Sequence, residues 1–209
     1  MGRARVKPAP GPAITSRGKR TREALVQAGR EVLEQRGWAG FSVESVAQAA
    51  GVSHGTFYTH LESKEALLQE VVRAVAAEMF AASLLGPEIS SAPYTRIVES
   101  NRRYLRAWSK ASKVLRLVEQ GADTSESLRR MVLEIRELYV RRGTESLVQL
   151  RDAGLVTVDL DPTLTAICLG AMVEQVAHVM FSSDEPLDED VVVEHLSRLW
   201  ASAIGLKIP

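Results

Sequence analysis

The chemically most suggestive run in the 209 residues is Ser53-His54-Gly55-Thr56-Phe57-Tyr58-Thr59-His60. Phe57 and Leu61 stand four apart, the spacing of two anchors on one helical face. The positions between them are short or polar, and Gly55 lets the backbone approach another surface closely. A helix made only for burial would not turn so many donors and acceptors outward. Such a helix suits the major groove of double-stranded DNA. His54 and Thr56, near its start, would meet base edges, and Tyr58 and His60 the flanking phosphates.

Lys64 adds a separate hint. A cation in the first turn of a helix opposes the macrodipole, at a cost of some tenths of a kcal/mol up to about 1. A phosphate held by the lysine and by the helix N–H groups would justify the position. An idle surface lysine is the plainer alternative. Arg17 and Lys19 from the basic end of the chain, and the cap serines Ser42 and Ser53, complete the candidate DNA-contacting set.

These side chains need short helices and tight turns to hold them. Residues 1–17, with Pro8, Pro10 and Pro12, read as a disordered basic arm. From about Thr21 to Gly37 the stripe Leu25, Ala28, Val32 and Leu33 predicts a helix. Ser42 caps a helix that stops at Gly51, Ser53 caps one over about 54–61, and Ser63 caps a longer one to about Leu85, closed by Gly86-Pro87. Residues 18–68 thus form a three-helix unit containing a helix-turn-helix.

Beyond Pro87, longer helices are expected near 93–119 (one or two), 124–153, 161–182 and 187–205. Breaks fall at Gly121, Gly154-Leu155, Asp161-Pro162 and Asp184-Glu185-Pro186. Residues 156–158 are too few to found a sheet. The class is all-α, with a small N-terminal domain and a larger one over 69–209.

Composition agrees with a globular, non-membrane chain: 45% of residues are apolar and 25% charged. No run of about 18 uninterrupted apolar residues suggests a membrane span, and the start does not read as a secretory signal. The single Cys168 reads as a buried structural thiol in a reducing cytoplasm. Net charge is zero but uneven. Residues 1–22 carry seven basic and no acidic side chains, and residues 1–70 sum to +3 against −3 for the rest. A basic end on an acidic body suits a polyanion held at that end.

The chain over about residues 18–68 resembles the DNA-binding signature of TetR-type (tetracycline-repressor-like) regulators, most closely in the run 37–68. The matching residues are Ala28, Leu33, Gly37, Phe41-Ser42-Val43, Val46-Ala47, Ala50-Gly51-Val52-Ser53, Gly55-Thr56-Phe57-Tyr58, His60 and Ser63-Lys64-Glu65-Leu67. Gly29 departs from a usual alanine, and Leu61 from a usual phenylalanine. The resemblance implies nine or ten helices in two domains and a homodimer built from the last two long helices. It also implies a C-terminal cavity for a small-molecule effector, coupled to DNA through the 64–85 helix. The function it implies is a repressor released from a palindromic operator.

For that cavity, Asn101, Tyr104 and Trp108 lie on one stripe of the 93–119 helix, a lone amide among aromatics. Met79 and Phe80, then Met131, Ile135 and Tyr139, and finally Met172 and Gln175, can line it from other helices. The same stripes are equally ordinary core faces. Glu174 and His178, one turn apart, could form half of a metal site or a buried hydrogen-bonded pair. No second His/Cys cluster completes a metal set, so no metal or cofactor is expected. Val192, Leu196, Leu199, Ala203 and Trp200 suit an intersubunit four-helix bundle, and packing within one chain would give the same pattern. No nucleophile motif or Gly-rich phosphate loop points to an enzyme.

Overall fold

In the computed structural model, the described residues are 16–86, 92–122, 125–156, 159–182 and 187–208. Among them are eight helices and no strand: α1 (Ser16–Gly40), α2 (Val43–Ala49), α3 (His54–His60), α4 (Lys64–Ala82), α5 (Pro93–Ala122), α6 (Glu126–Asp152), α7 (Pro162–Ser182) and α8 (Glu189–Ala203). Residues 1–15 of the basic arm, Pro87, Thr157-Val158 and the expected break at Asp184-Glu185-Pro186 lie outside the described residues. The chain divides into two compact units, residues 1–71 and 72–209.

Several boundaries differ from the sequence reading. α1 begins at Ser16, so Ser16 and Arg17 are helical and do not belong to an arm. No proline follows Pro12 there, arginine and lysine are good helix formers, and the Thr21 hydroxyl donates to the Arg17 carbonyl at 3.1 Å. The expected stop at Gly37 is where the helical backbone breaks. Gly37 turns to φ +61°, and one further turn follows it. α5 is a single helix and not two, ending at Ala122, one residue past the expected break at Gly121. That continuity is one reason the described helices number eight and not nine or ten.

The first unit is assembled by local chemistry. Ser42 and Ser45 cap α2 reciprocally, each side chain accepting from the other's backbone N–H at 3.1 and 3.0 Å. Gly51, at φ +65°, adopts the left-handed conformation that ends α2, and the Val52 N–H closes back onto the Ala47 carbonyl at 3.0 Å. Ser53 then caps α3, accepting from Thr56 N–H at 3.1 Å, and Ser63 caps α4, accepting from Ala66 N–H at 3.1 Å. Leu25, Val32, Leu33, Phe41, Val46, Phe57, Leu61 and Leu67 are buried. At Gly29 a Cβ would lie 3.1 Å from Val71 and 3.2 Å from Leu67. The departure from alanine therefore matches a close approach of α1 to α4.

In the second unit α5 packs on α6, α7 and α8, and α6 packs on α7. Asp161 caps α7, accepting from Leu164 N–H at 2.7 Å, with Pro162 at the first helical position, where its missing N–H costs nothing. Asp188 caps α8 in the same way, from Val191 N–H at 3.0 Å. Leu147, Ala166, Leu169, Ala201, Ile204 and Leu206 form one apolar core.

The turn into α3 depends on one backbone conformation. Gly51→Val should destabilise the first unit by about 1–2 kcal/mol, the left-handed penalty for an L side chain. Urea unfolding followed by circular dichroism measures this, and an unchanged midpoint would show that the turn relaxes without cost.

Candidate nucleic-acid interface and C-terminal cleft

α3 has seven residues, and Phe57 is its one buried side chain. His54, Gly55, Tyr58 and Thr59 face solvent, while Thr56 and His60 are half-buried. Tyr58 is 51% exposed, yet its ring is held edge-on by Phe57 at 5.3 Å and His54 at 5.1 Å. The Thr56 hydroxyl lies 2.9 Å from the Ser53 hydroxyl. These two are mutually engaged at the helix start and do not point freely outward. Ser42 is likewise committed to its cap.

Arg17, Gly18, Thr21, Gly51, Ser53, Thr56 and His60 line an open concavity of about 480 Å³ between α1 and the start of α3. The structure thus brings Arg17 to the same surface as Ser53, Thr56 and His60. Lys19 is exposed on α1, 3.9 Å from Glu23. Lys64 stands apart from that concavity, its ammonium lying 5.4 Å from the Phe41 ring centre and 5.8 Å from that of Trp38. Aromatic faces attract a cation, so this pose holds the lysine without an acid.

The sequence reading missed Arg22. Its Nη1 donates to the His60 carbonyl at 2.6 Å and its Nη2 stands 3.3 Å from Glu70. One guanidinium therefore ties the end of α3 to α1 and α4. Its place in a basic run concealed that role.

In the second unit the expected lining residues scatter. Met131, Ile135 and Tyr139 of α6, with Phe80 of α4, do border one cleft of about 630 Å³. Ala76, Ala77, Ala81, Leu84 and Leu138 border it too, and Arg73, Glu134, Glu137 and Arg141 supply its charges. The alanines at 76, 77 and 81 were the unread signal: small residues at helical spacing leave room beside a helix.

The other candidates lie elsewhere. Met79 is buried. Tyr104 is edge-on to Tyr139 at 5.6 Å, and burial, reinforced by Glu174, pushes its phenol well above the ordinary value. Asn101 is buried and donates to the Ser197 hydroxyl at 3.1 Å, which itself donates to the Val193 carbonyl at 2.7 Å. It joins α5 to α8 and is not among the residues that border the cleft. Trp108 is buried and stacked on Phe181 at 5.7 Å. Met172 packs on the α8-side core, and Gln175 is exposed.

Glu174 and His178 do not pair with each other. Glu174 accepts from Arg136 at 2.8 Å, and His178 Nδ1 stands 3.4 Å from Glu119. Among the described residues no group of three potential ligands gathers around a metal position. Cys168 is exposed, not buried, because α7 turns Ala166, Leu169, Val173, Ala177 and Met180 inward and leaves the opposite face uncovered. That face carries Leu164, Ile167, Cys168, Ala171, Gln175 and Val179. α7 is long and apolar enough to cross a membrane by length and composition, and 28% of its most apolar window is buried. Leu196 is buried within the subunit, whereas Leu199 is 55% exposed.

A sequence profile described as "Bacterial regulatory proteins, tetR family" matches residues 25–71. A second, described as "Transcriptional regulator EthR, C-terminal domain", matches residues 97–205. The chain belongs to the TetR family. It is a ligand-responsive DNA-binding repressor, and members of this family are soluble transcription factors, not enzymes. It is 31% identical to the HTH-type transcriptional repressor DhaR of Mycobacterium sp. over 155 residues, 69% of this chain and 74% of that one. It is 24% identical to the HTH-type transcriptional regulator EthR of Mycobacterium tuberculosis over 206 residues, 92% and 94% of the two chains. A crystal structure of a TetR-family transcriptional regulator from Rhodococcus sp. shares its fold at a TM-score of 0.75 and 22% identity, covering 89% of this chain and 99% of that one.

Ser53 starts the TetR helix α3 and also fixes Thr56. Ser53→Ala should cost about 1 kcal/mol of stability and weaken operator binding, whereas Ser53→Thr should retain most of both. Urea melts and fluorescence anisotropy on operator DNA distinguish them. Equal behaviour of the two variants would remove the cap from the explanation.

Proposed function

We propose that this TetR-family protein is a cytoplasmic homodimer that holds a palindromic operator and leaves it when a small, largely apolar effector enters the cleft between α4 and α6. The observation that carries the reading is the division of labour on α3. One face is spent on Phe57, and the other keeps His54, Gly55, Tyr58 and Thr59 exposed, with Thr56 held at the helix start by Ser53 and the cationic Arg17 on the same surface. Phosphate contacts are assigned to Tyr58, His60 and Lys64, with Arg17 and Lys19 adding charge. Base edges are assigned to His54 and Thr56, with Gly55 admitting the backbone.

The exposed apolar faces support dimerisation through α7 and α8. Leu164, Ile167 and Val179 on α7, and Val191 and Leu199 on α8, are each at least 44% exposed in the single subunit. Apolar surface arranged this way marks an interaction site. Leu196 does not belong to that seam, since a charge there would disrupt the subunit itself. The effector reading rests on a cleft whose floor is Met131, Ile135, Phe80 and Tyr139. α4 belongs to both units, so a ligand that displaces its second half has a covalent route to its first. Trp108, buried in the core, is not expected to report on ligand.

Leu199→Arg, alone or with Leu164→Arg, should yield monomers in sedimentation velocity and lose operator affinity steeply, since each monomer holds one reading helix. A persisting dimer would place the seam elsewhere. Lys64→Ala should weaken operator and random DNA alike and flatten the log K versus log salt slope by about 2 per dimer. Thr56→Ala should leave that slope nearly unchanged and relax sequence preference, with roughly 1–3 kcal/mol lost per altered base contact. Salt-dependent anisotropy on both DNAs tests the assignment, and an exchange of the two phenotypes would overturn the docking register.

A further inference from the structure

The C-terminal unit holds a cation whose surroundings the repressor fold alone does not explain. Arg142 is half-buried, and among the described residues no carboxylate forms an ion pair with its guanidinium. Its Nη1 donates to the Ser83 hydroxyl at 2.8 Å. The planar group lies 5.0 Å from the Phe80 ring centre and 5.4 Å from that of Tyr139. Burial disfavours the charged form and lowers its pKa from the usual arginine value. Three other arginines on α5 and α6 have acids: Arg102 has Asp190, Arg106 has Glu189, and Arg136 has Glu174.

A guanidinium carries five N–H donors in a fixed fork that matches a carboxylate. Here the bond to Ser83 uses one of them. Beside it, the Tyr139 hydroxyl is buried next to Ser83 with no partner at full hydrogen-bond geometry, a costly state for a donor. Tyr139 and Arg142 are three residues apart on α6, so they share a face, and Ser83 meets them from the end of α4. Phe80 and Tyr139, the rings against which the guanidinium lies, are also walls of the effector cleft. The cleft and the underused cation therefore share two side chains. Along the cleft the lining is Ala76, Ala77, Met131, Ile135 and Leu138.

We infer that the effector is a monocarboxylic acid with an apolar body, its carboxylate bound by Arg142 with the Tyr139 hydroxyl beside it, while Ser83, whose proton goes to the Phe80 carbonyl at 2.9 Å, positions the guanidinium. This rests on the effector reading of the same cleft. One guanidinium balances one negative charge. Glu134 and Glu137 at the cleft offset Arg73 and Arg141, so a dianionic phosphate would meet no surplus of positive charge. The apolar lining takes the aliphatic or aromatic body.

The test uses the full-length protein and two probe series, straight-chain acids of about six to sixteen carbons and phenylalkanoic acids. Each acid is compared with its primary amide and its alcohol. Binding is read by the shift of the thermal midpoint, and release by anisotropy of labelled operator. At least one acid should bind about tenfold or more tightly than its own amide and alcohol, and Arg142→Met should abolish that difference. Because the substitution removes a half-buried charge without an acid, the ligand-free midpoint of Arg142→Met should equal or exceed that of the parent. Absence of acid preference throughout both series would overturn the proposal. So would a midpoint that falls sharply in both Arg142→Met and Arg142→Gln, since Arg142 would then be a structural tie to Ser83. Acid binding without operator release would instead sink the induction reading and leave the carboxylate site standing. Release by neutral probes with no acid preference would do the reverse.

Discussion

Everything the N-terminal unit does rests on anchoring a helix too short to hold itself. Seven residues cannot sustain a helix in water, because nucleation is unfavourable and few hydrogen bonds follow it. α3 must also keep its outer face polar, which leaves Phe57 as its single buried side chain. The missing stability comes from its two ends. Gly51 and Ser53 set the entry, and Arg22 holds the exit through the His60 carbonyl. The rest of the first unit, from the capping of α2 to the kink at Gly37, supplies the surface into which Phe57 fits.

The second unit follows a different logic. Its helices are long enough to stand on packing, so its polar groups are free to specify which helices meet. The buried Asn101–Ser197 contact joins α5 to α8, and Arg102 with Asp190 and Arg106 with Glu189 add ion pairs between the same two helices at the start of α8. Asn101 and Arg142 are both withdrawn from solvent, but they are not equivalent. The first has an uncharged partner suited to its amide, and the second keeps a charge among rings and one hydroxyl.

What could be read from the chain alone follows from how local each feature is. The caps at Ser42, Ser53 and Ser63 act within three residues, and the left-handed turn at Gly51 acts within five, so the three-helix unit was legible in outline. The inward faces of the long helices were not. α7 is apolar on nearly every side, and only its packing against α5 and α6 decides that Leu169 is covered while Cys168 is bare. On α8 the step from Leu196 to Leu199 separates core from surface, and so short a stretch of periodicity cannot show which way the helix is rotated. Glu174 and His178 looked like partners because they are neighbours on one helix. Arg136 and Glu119, from two other helices, claim them instead.

The uncovered face of α7 has a consequence for abundance in the cell. A chain that has not met a second copy carries a stripe of leucine, isoleucine and valine in water, the kind of surface that chaperones retain and proteases sample. Pairing would remove it, and the stability gained by pairing grows with protomer concentration. The working pool of such a protein would then rise more steeply than its rate of synthesis. A low basal level would be thinned by turnover, and a modest increase in expression would be preserved.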